Sequence, residues 1–392
     1  MAEGLRRVGR PAAGAYDERR QVRVRRKMFR VAVTVASVVL YVGVMLGCML
    51  SAGPEQNRQV ARLGRPQTVR GATRVAGLPF RGVAVQLQRI DWMDSEYRKA
   101  VDEIADLGAD TVSFVVDARM ENGSSSRIYL DMRSTPTPDA LISLIQYAKQ
   151  EHGLRVVLMP IVLLDRPRGL EWRGTINPED WSEWWASYRA MLYHYCWIAE
   201  SAKVDLLVVG SELVSTESKA EQWRQTIDMV RQNFRGLITY SSNWDHYDNI
   251  PFWEQLDLIG MNSYWKLGED HTVSVEEIVA RWKKIKRTLY EFQQKKGKPL
   301  ILLEAGWCSL QNAADESWDY TKETVPIDLD LQRRLYEGFF RSWYGEPWFG
   351  GFMIWEWPPS RGGPENRGYT PKNKPAEQVL REWLKKPRWE VR

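Results

Sequence analysis

Cysteine is scarce in this chain. Cys48, Cys196 and Cys308 are the only three in 392 residues, enough for at most one internal bridge, so a disulfide scaffold is excluded. Histidine is almost as rare: His152, His194, His246 and His271 stand without metal-ligand spacing, which argues against a catalytic metal. No P-loop, no Gly-x-Ser-x-Gly elbow and no Gly-x-Gly-x-x-Gly after the first apolar run is present, so phosphate-cradling and serine-hydrolase chemistries lack their usual framework. No cofactor is expected. What is abundant is ordinary core material: 44% hydrophobic and 27% charged residues describe a chain that packs rather than one that stays disordered. The length suits one large domain with appendages, with two ordinary domains as the alternative.

The net charge of +5 is unevenly placed. Residues 1–30 carry ten Lys or Arg against three Asp or Glu, which leaves 45 basic and 47 acidic residues in the remainder. A slightly acidic body offers no basic face for phosphates, so nucleic acid is not an expected partner. After the basic head come the 20 uncharged residues 31–50, VAVTVASVVLYVGVMLGCML. At about 1.5 Å per helical residue they span the roughly 30 Å apolar core of a bilayer and predict a transmembrane anchor. A cleaved signal or a lipid on Cys48 are alternatives. The basic head favours a cytoplasmic N-terminus with the body on the other side of the membrane, although Arg58, Arg62, Arg65, Arg70, Arg74 and Arg81 beyond the span soften that bias. Residues 51–81 lack periodicity and read as a linker, and residues 82–392 as the folded, catalytic domain.

In that domain apolar runs begin near Gly82, Asp110, Leu154, Asp205, Leu237, Asp257, Pro299 and Trp348. Amphipathic helical patterns separate them at Ser95 to Leu107, Pro138 to Glu151, Pro178 to Ser201, Ser218 to Asn233, Val275 to Lys296 and Leu329 to Trp343, and Pro375 to Lys385 follows the last. Only the fifth and sixth runs are joined by a short connection. Eight β/α units, with runs apolar on both faces, predict a (β/α)8 TIM barrel of the α/β class; an open doubly wound sheet is the runner-up.

A barrel of this kind places its chemistry where strands end. All 19 tryptophans lie at or beyond Trp92, and seven of them, Trp92, Trp172, Trp244, Trp265, Trp307, Trp355 and Trp357, fall at strand ends or in the loops that follow. Broad indole faces stack on the C–H faces of sugar rings, while the tryptophans inside helical patterns read as packing. Glu212 and Glu304 end the fourth and seventh runs. A carboxylate there is costly unless paired or used, and two facing carboxyls are the equipment of glycoside hydrolysis. Glu356 ranks behind them. Arg89 or Arg119 could help keep Glu304 ionised, or form a surface ion pair.

The runs LLVVGSELVSTE, LITYSSNW, DLIGMNSYW and KPLILLEAGW resemble, in order, glycoside hydrolase family 113 within the clan of retaining (β/α)8-barrel glycosidases, over roughly residues 82–360. The resemblance implies a β-mannanase-like hydrolase with Glu212 as acid/base and Glu304 as nucleophile. It further implies Tyr264 as a hydrogen-bond donor to the nucleophile and Trp355 as the floor of the subsite at the cleaved bond, with Trp172, Asn243 and Trp307 as subsite residues. Ser211 stands where the wider clan has Asn. The expected partner is a polysaccharide, best guessed as β-1,4-mannan or glucomannan. A tethered glycan-binding protein without turnover and a transglycosylase remain the alternatives.

Overall fold

The computed structural model describes residues 77–359 and 362–391. The basic head, the uncharged run at residues 31–50 and nearly all of the linker lie outside them. Among the described residues no helix is long and apolar enough to cross a membrane.

Eight parallel strands close in sequence order into a barrel: β1 Phe80–Gln86, β2 Thr111–Met120, β3 Arg155–Leu164, β4 Leu206–Ser211, β5 Leu237–Ser242, β6 Ile259–Asn262, β7 Leu300–Ala305 and β8 Phe349–Ile354. The expected (β/α)8 TIM barrel is what the chain forms, and the open sheet is excluded because β8 pairs with β1. Helices α1 Glu96–Asp106, α2 Pro138–His152, α3 Trp181–Ala202, α4 Val214–Glu217, α5 Ala220–Asn233, α6 Val275–Lys296, α7 Leu329–Trp343 and α8 Pro375–Leu384 follow. Between β5 and β6 only two one-turn 3-10 segments fit. The third helix starts at Trp181 rather than Pro178, because the Asp180 side chain accepts from the backbone N–H groups of Ser182 and Glu183 and so sets the N-cap.

Alternation along each strand divides the core in two. Ala84, Val115, Val157, Met159, Leu206, Val208, Ile301, Leu303 and Met353 fill the lumen. The outward residues pack under the helices, where Trp184, Trp185, Trp223, Trp282 and Trp343 are fully buried. These helical tryptophans are packing residues; removing one such ring costs about 3–5 kcal/mol. One glycine is required for closure. Gly351 of β8 lies opposite Phe80 of β1 with φ +127°, and an added Cβ would stand 1.9 Å from the Phe80 carbonyl oxygen. Gly351→Ala should therefore destabilise by at least about 2 kcal/mol, read as a lowered Tm in thermal denaturation; an unchanged Tm would contradict this account of the seam.

Candidate active site

Both glutamates are delivered to the mouth by breaks in strand alternation. On β7, Ile301 and Leu303 face the lumen while Leu302 and Ala305 face the helices. Leu302 opposes Phe352 and Ala305 opposes Ile354, so β7 carries one more residue than β8 across this stretch. Such a bulge re-aims a side chain, and here Glu304 turns inward. The same device recurs on β4, where Val208 opposes Thr239 and Ser211 opposes Ser241. Glu212, next in the chain, has φ 54°, an uncommon value for a residue with a Cβ. Its N–H donates to the Ser241 carbonyl at 2.8 Å, and the following Leu213 N–H donates to the Tyr240 hydroxyl at 2.9 Å. Tyr240 in turn donates to the buried Glu217 carboxyl at 2.8 Å.

The two carboxyls are buried in one electrostatic unit. Arg173, from a one-turn 3-10 helix in the β3–α3 loop, pairs its guanidinium with Oε2 of Glu212. Asn262 donates its amide to Oε1 of Glu212, and its own Oδ1 accepts the Trp244 N–H at 2.8 Å. Tyr264 donates to Oε2 of Glu304 at 2.7 Å, while Oε1 of Glu304 is buried without a partner. Burial raises the Glu304 pKa first and the neighbouring Glu212 second; Arg173 and the Tyr264 hydrogen bond oppose them without cancelling the rise. Tyr264 is itself pushed well above the ordinary phenol value by burial and by the Glu304 charge, so it remains a donor. Burial works against the Arg173 charge, and the two carboxylates more than compensate.

Around this unit the other residues nominated from sequence separate into two groups. Trp355 rests on the lumen and against the Tyr264, Cys308 and Tyr369 cluster, at the mouth. Glu356 turns to β1, where Gln86 donates to it at 2.7 Å, and burial raises its pKa. Trp172 is exposed beside Arg173, and Asn243 is half-buried with an unpartnered Oδ1. Four nominations lie apart from this unit. Trp307 is fully buried against Tyr336 and Phe339, because the ring follows the outward direction of Ala305 into the helical layer. Trp265 is wedged edge-on between Trp244 and Trp282. Arg89 is clamped by Asp91 at 2.7 Å and lies over Trp92, which packs against Tyr97. Arg119 is held between Asp117 at 2.6 Å and Asp165 at 2.9 Å. Neither arginine pairs with a glutamate of the site.

The cation is Arg173, which sequence reasoning passed over although it adjoins Trp172. Asn262 was also missed. Its signal was available, an amide at a strand end two residues before Tyr264. Arg173→Met should lower kcat/KM by about 10²-fold. It should also move the acid limb of the pH profile to higher pH, because a charge that lowers the Glu304 pKa is gone. An acid limb that stays in place, or moves to lower pH, would refute this role. Among the described residues no cluster of three or more His, Cys, Asp or Glu could hold a metal ion.

The family model of glycoside hydrolase family 113 matches residues 83–374. Among solved structures the chain is similar to the family 113 β-mannanase AaManA from Alicyclobacillus acidocaldarius in complex with ManMIm. The two are 30% identical over 79% of this chain and 98% of that one, with TM-score 0.70. A family 113 β-1,4-mannanase is 27% identical over 79% and 99%, with TM-score 0.71. The Bifidobacterium dentium β-glucuronidase, at 13% identity over 80% of this chain and 47% of that one and TM-score 0.53, shares the fold alone. No curated protein sequence matches the chain.

Proposed function

The chain belongs to glycoside hydrolase family 113, and on that footing we propose that it cleaves β-1,4-mannan or glucomannan with retention of anomeric configuration. The observation that carries this reading is the buried pair of Glu212 and Glu304 under one guanidinium, with a phenol on Glu304. Glu304 attacks the anomeric carbon while Glu212 gives its proton to the departing glycosidic oxygen, leaving a glycosyl ester on Glu304. Water then attacks the same carbon as Glu212 takes a proton from it, and Glu304 is released as carboxylate. Arg173 pairs with Glu212, and its charge also lowers the pKa of Glu304, favouring the ionised nucleophile. Trp355 supports the reacting sugar, and Trp172 and Asn243 are further subsite residues. The mannanases quoted above favour mannan as substrate.

The reading extends to location: the uncharged run at residues 31–50 tethers the enzyme to a membrane, with the catalytic domain outside the cytoplasm. Extraction from membranes by alkaline carbonate would count against the tether. For the activity, hydrolysis of mannan, glucomannan, cellulose, xylan and peptidoglycan is compared, and the first-formed anomer is read by proton NMR. Release of the β-anomer from mannan is expected. The α-anomer would overturn retention, and saturable binding without cleavage would point to a tethered glycan-binding protein.

A further inference from the structure

Outside the site, the most unusual feature of the mouth is a firmly held loop that presents two large aromatic rings to solvent. Of the 19 tryptophans only Trp172, Trp197 and Trp318 are exposed. Trp197 is on helix α3, in the outer layer, whereas Trp172 and Trp318 are on loops that follow strand ends. Trp318 is 53% exposed and Tyr320, two positions on, is 67% exposed. Burial of rings this size is a large stabilising term, and this loop forgoes it at two positions.

The loop between β7 and α7 is built to hold that arrangement. Leu310 and Ile327 form an antiparallel bridge at its neck, reinforced by the Asp328 N–H donating to the Ser309 carbonyl at 2.9 Å. Beyond the neck, Ala313, Ala314 and Ser317 are buried, and the Ala314 carbonyl accepts from the N–H groups of Leu267 and Gly268 at 2.7 and 3.1 Å. From the β8–α8 loop Arg367 donates to the Lys322 carbonyl at 3.0 Å and also to that of Val325, and the Tyr369 hydroxyl donates to the Trp318 carbonyl at 3.0 Å. The backbone under the two rings is thus pinned from both neighbouring loops. Polar groups flank it: Lys322 pairs with Glu316 and Asp319, and Thr321 donates to Asp319.

The Tyr320 ring also continues the site. Tyr320 lies 6.1 Å from Tyr369, Tyr369 lies 6.0 Å from Tyr264, and Tyr264 donates to Glu304. An aromatic path therefore runs from the nucleophile out to the rim. We propose that Trp318 and Tyr320 form a platform that stacks a hexose of the bound polysaccharide remote from the bond being cleaved, with the flanking polar groups receiving its hydroxyls. This rests on the glycosidase reading and adds to it a length preference: only a chain long enough to reach the rim gains from the platform.

The test is the double variant Trp318→Ala/Tyr320→Ala, assayed on mannohexaose and on 2,4-dinitrophenyl β-mannoside, which is too short to reach the rim. For the hexasaccharide kcat/KM should fall about tenfold, mainly through KM. For the aryl mannoside it should change by less than about twofold. Trp318→Phe/Tyr320→Phe should restore most of the loss. Equal losses on both substrates, or a displaced pH profile, would show that the rings act through Tyr369 and Tyr264 and would overturn the platform; so would no loss on the hexasaccharide. If the unaltered protein cleaves neither substrate, the catalytic reading fails instead. Affinity electrophoresis in mannan then decides the platform by itself: retardation lost in the double variant supports it, and equal retardation or none rejects it.

Discussion

Glu304→Gln is expected to lower kcat on mannan by about 10⁵-fold, or about 7 kcal/mol of transition-state stabilisation, while leaving affinity for the polysaccharide within a few-fold. The amide keeps the shape of the side chain and an oxygen for Tyr264 to donate to, but it cannot attack carbon. Folding supplies a control. The Glu304 pKa is raised in the folded protein, so ionising it opposes folding as pH climbs from the ordinary carboxylate range through the raised value. Gln carries no such cost, and the variant's Tm should equal or exceed that of the unaltered protein, by more at pH 8 than at pH 4. Residual activity above about 1%, in a variant whose Tm is unchanged, would remove Glu304 from the nucleophile's role.

The second large effect belongs to Glu212→Ala, and it should depend on the leaving group. An alcohol leaving group needs the acid's proton, so kcat on mannan should fall by about 10³-fold or more. Dinitrophenolate leaves without help. With that substrate the first step persists, the glycosyl ester on Glu304 accumulates, and a burst of dinitrophenol precedes a slow steady state. Azide, which needs no general base, should raise the steady-state rate and yield the β-mannosyl azide. Equal losses for both leaving groups, with no response to azide, would mean that Glu212 is not the acid/base. Glu356 would then be the next carboxyl to examine, since it is half-buried just after β8 with Gln86 donating to it.

Much of this was legible along the chain. The β/α alternation is a local pattern, since the period of apolar residues and the capping signals are set by near neighbours. Helices α6 and α7 begin and end where the periodicity puts them, with Ser274 and Asp328 as caps. Glu212 and Glu304 were visible for the same reason: a carboxylate that closes an apolar strand, directly after Leu300 to Leu303 or after Leu206 to Val209 and the pair Gly210 and Ser211, stands out in one dimension. Trp307 shows where such reasoning stops. Its neighbours in sequence made it look like a residue of the mouth, but after the bulge on β7 the ring goes into the helical layer.

The sequence by itself determined the barrel, the order of its units and the two glutamates, because each of these is written in short-range periodicity or at a strand end, while the phenol on Glu304 was implied by the family resemblance. Only the tertiary structure decided that Arg173 rather than Arg89 or Arg119 is the cation over the carboxyls, and that Asn262 reaches across from β6 to Glu212. It also decided that the Trp318 and Tyr320 rings stay in solvent while most other tryptophans are covered. The physical reason is common to all three. Which partner a side chain meets, or whether it stays in solvent, is set by contacts between segments far apart in the chain, and spacing carries no record of which segments those are.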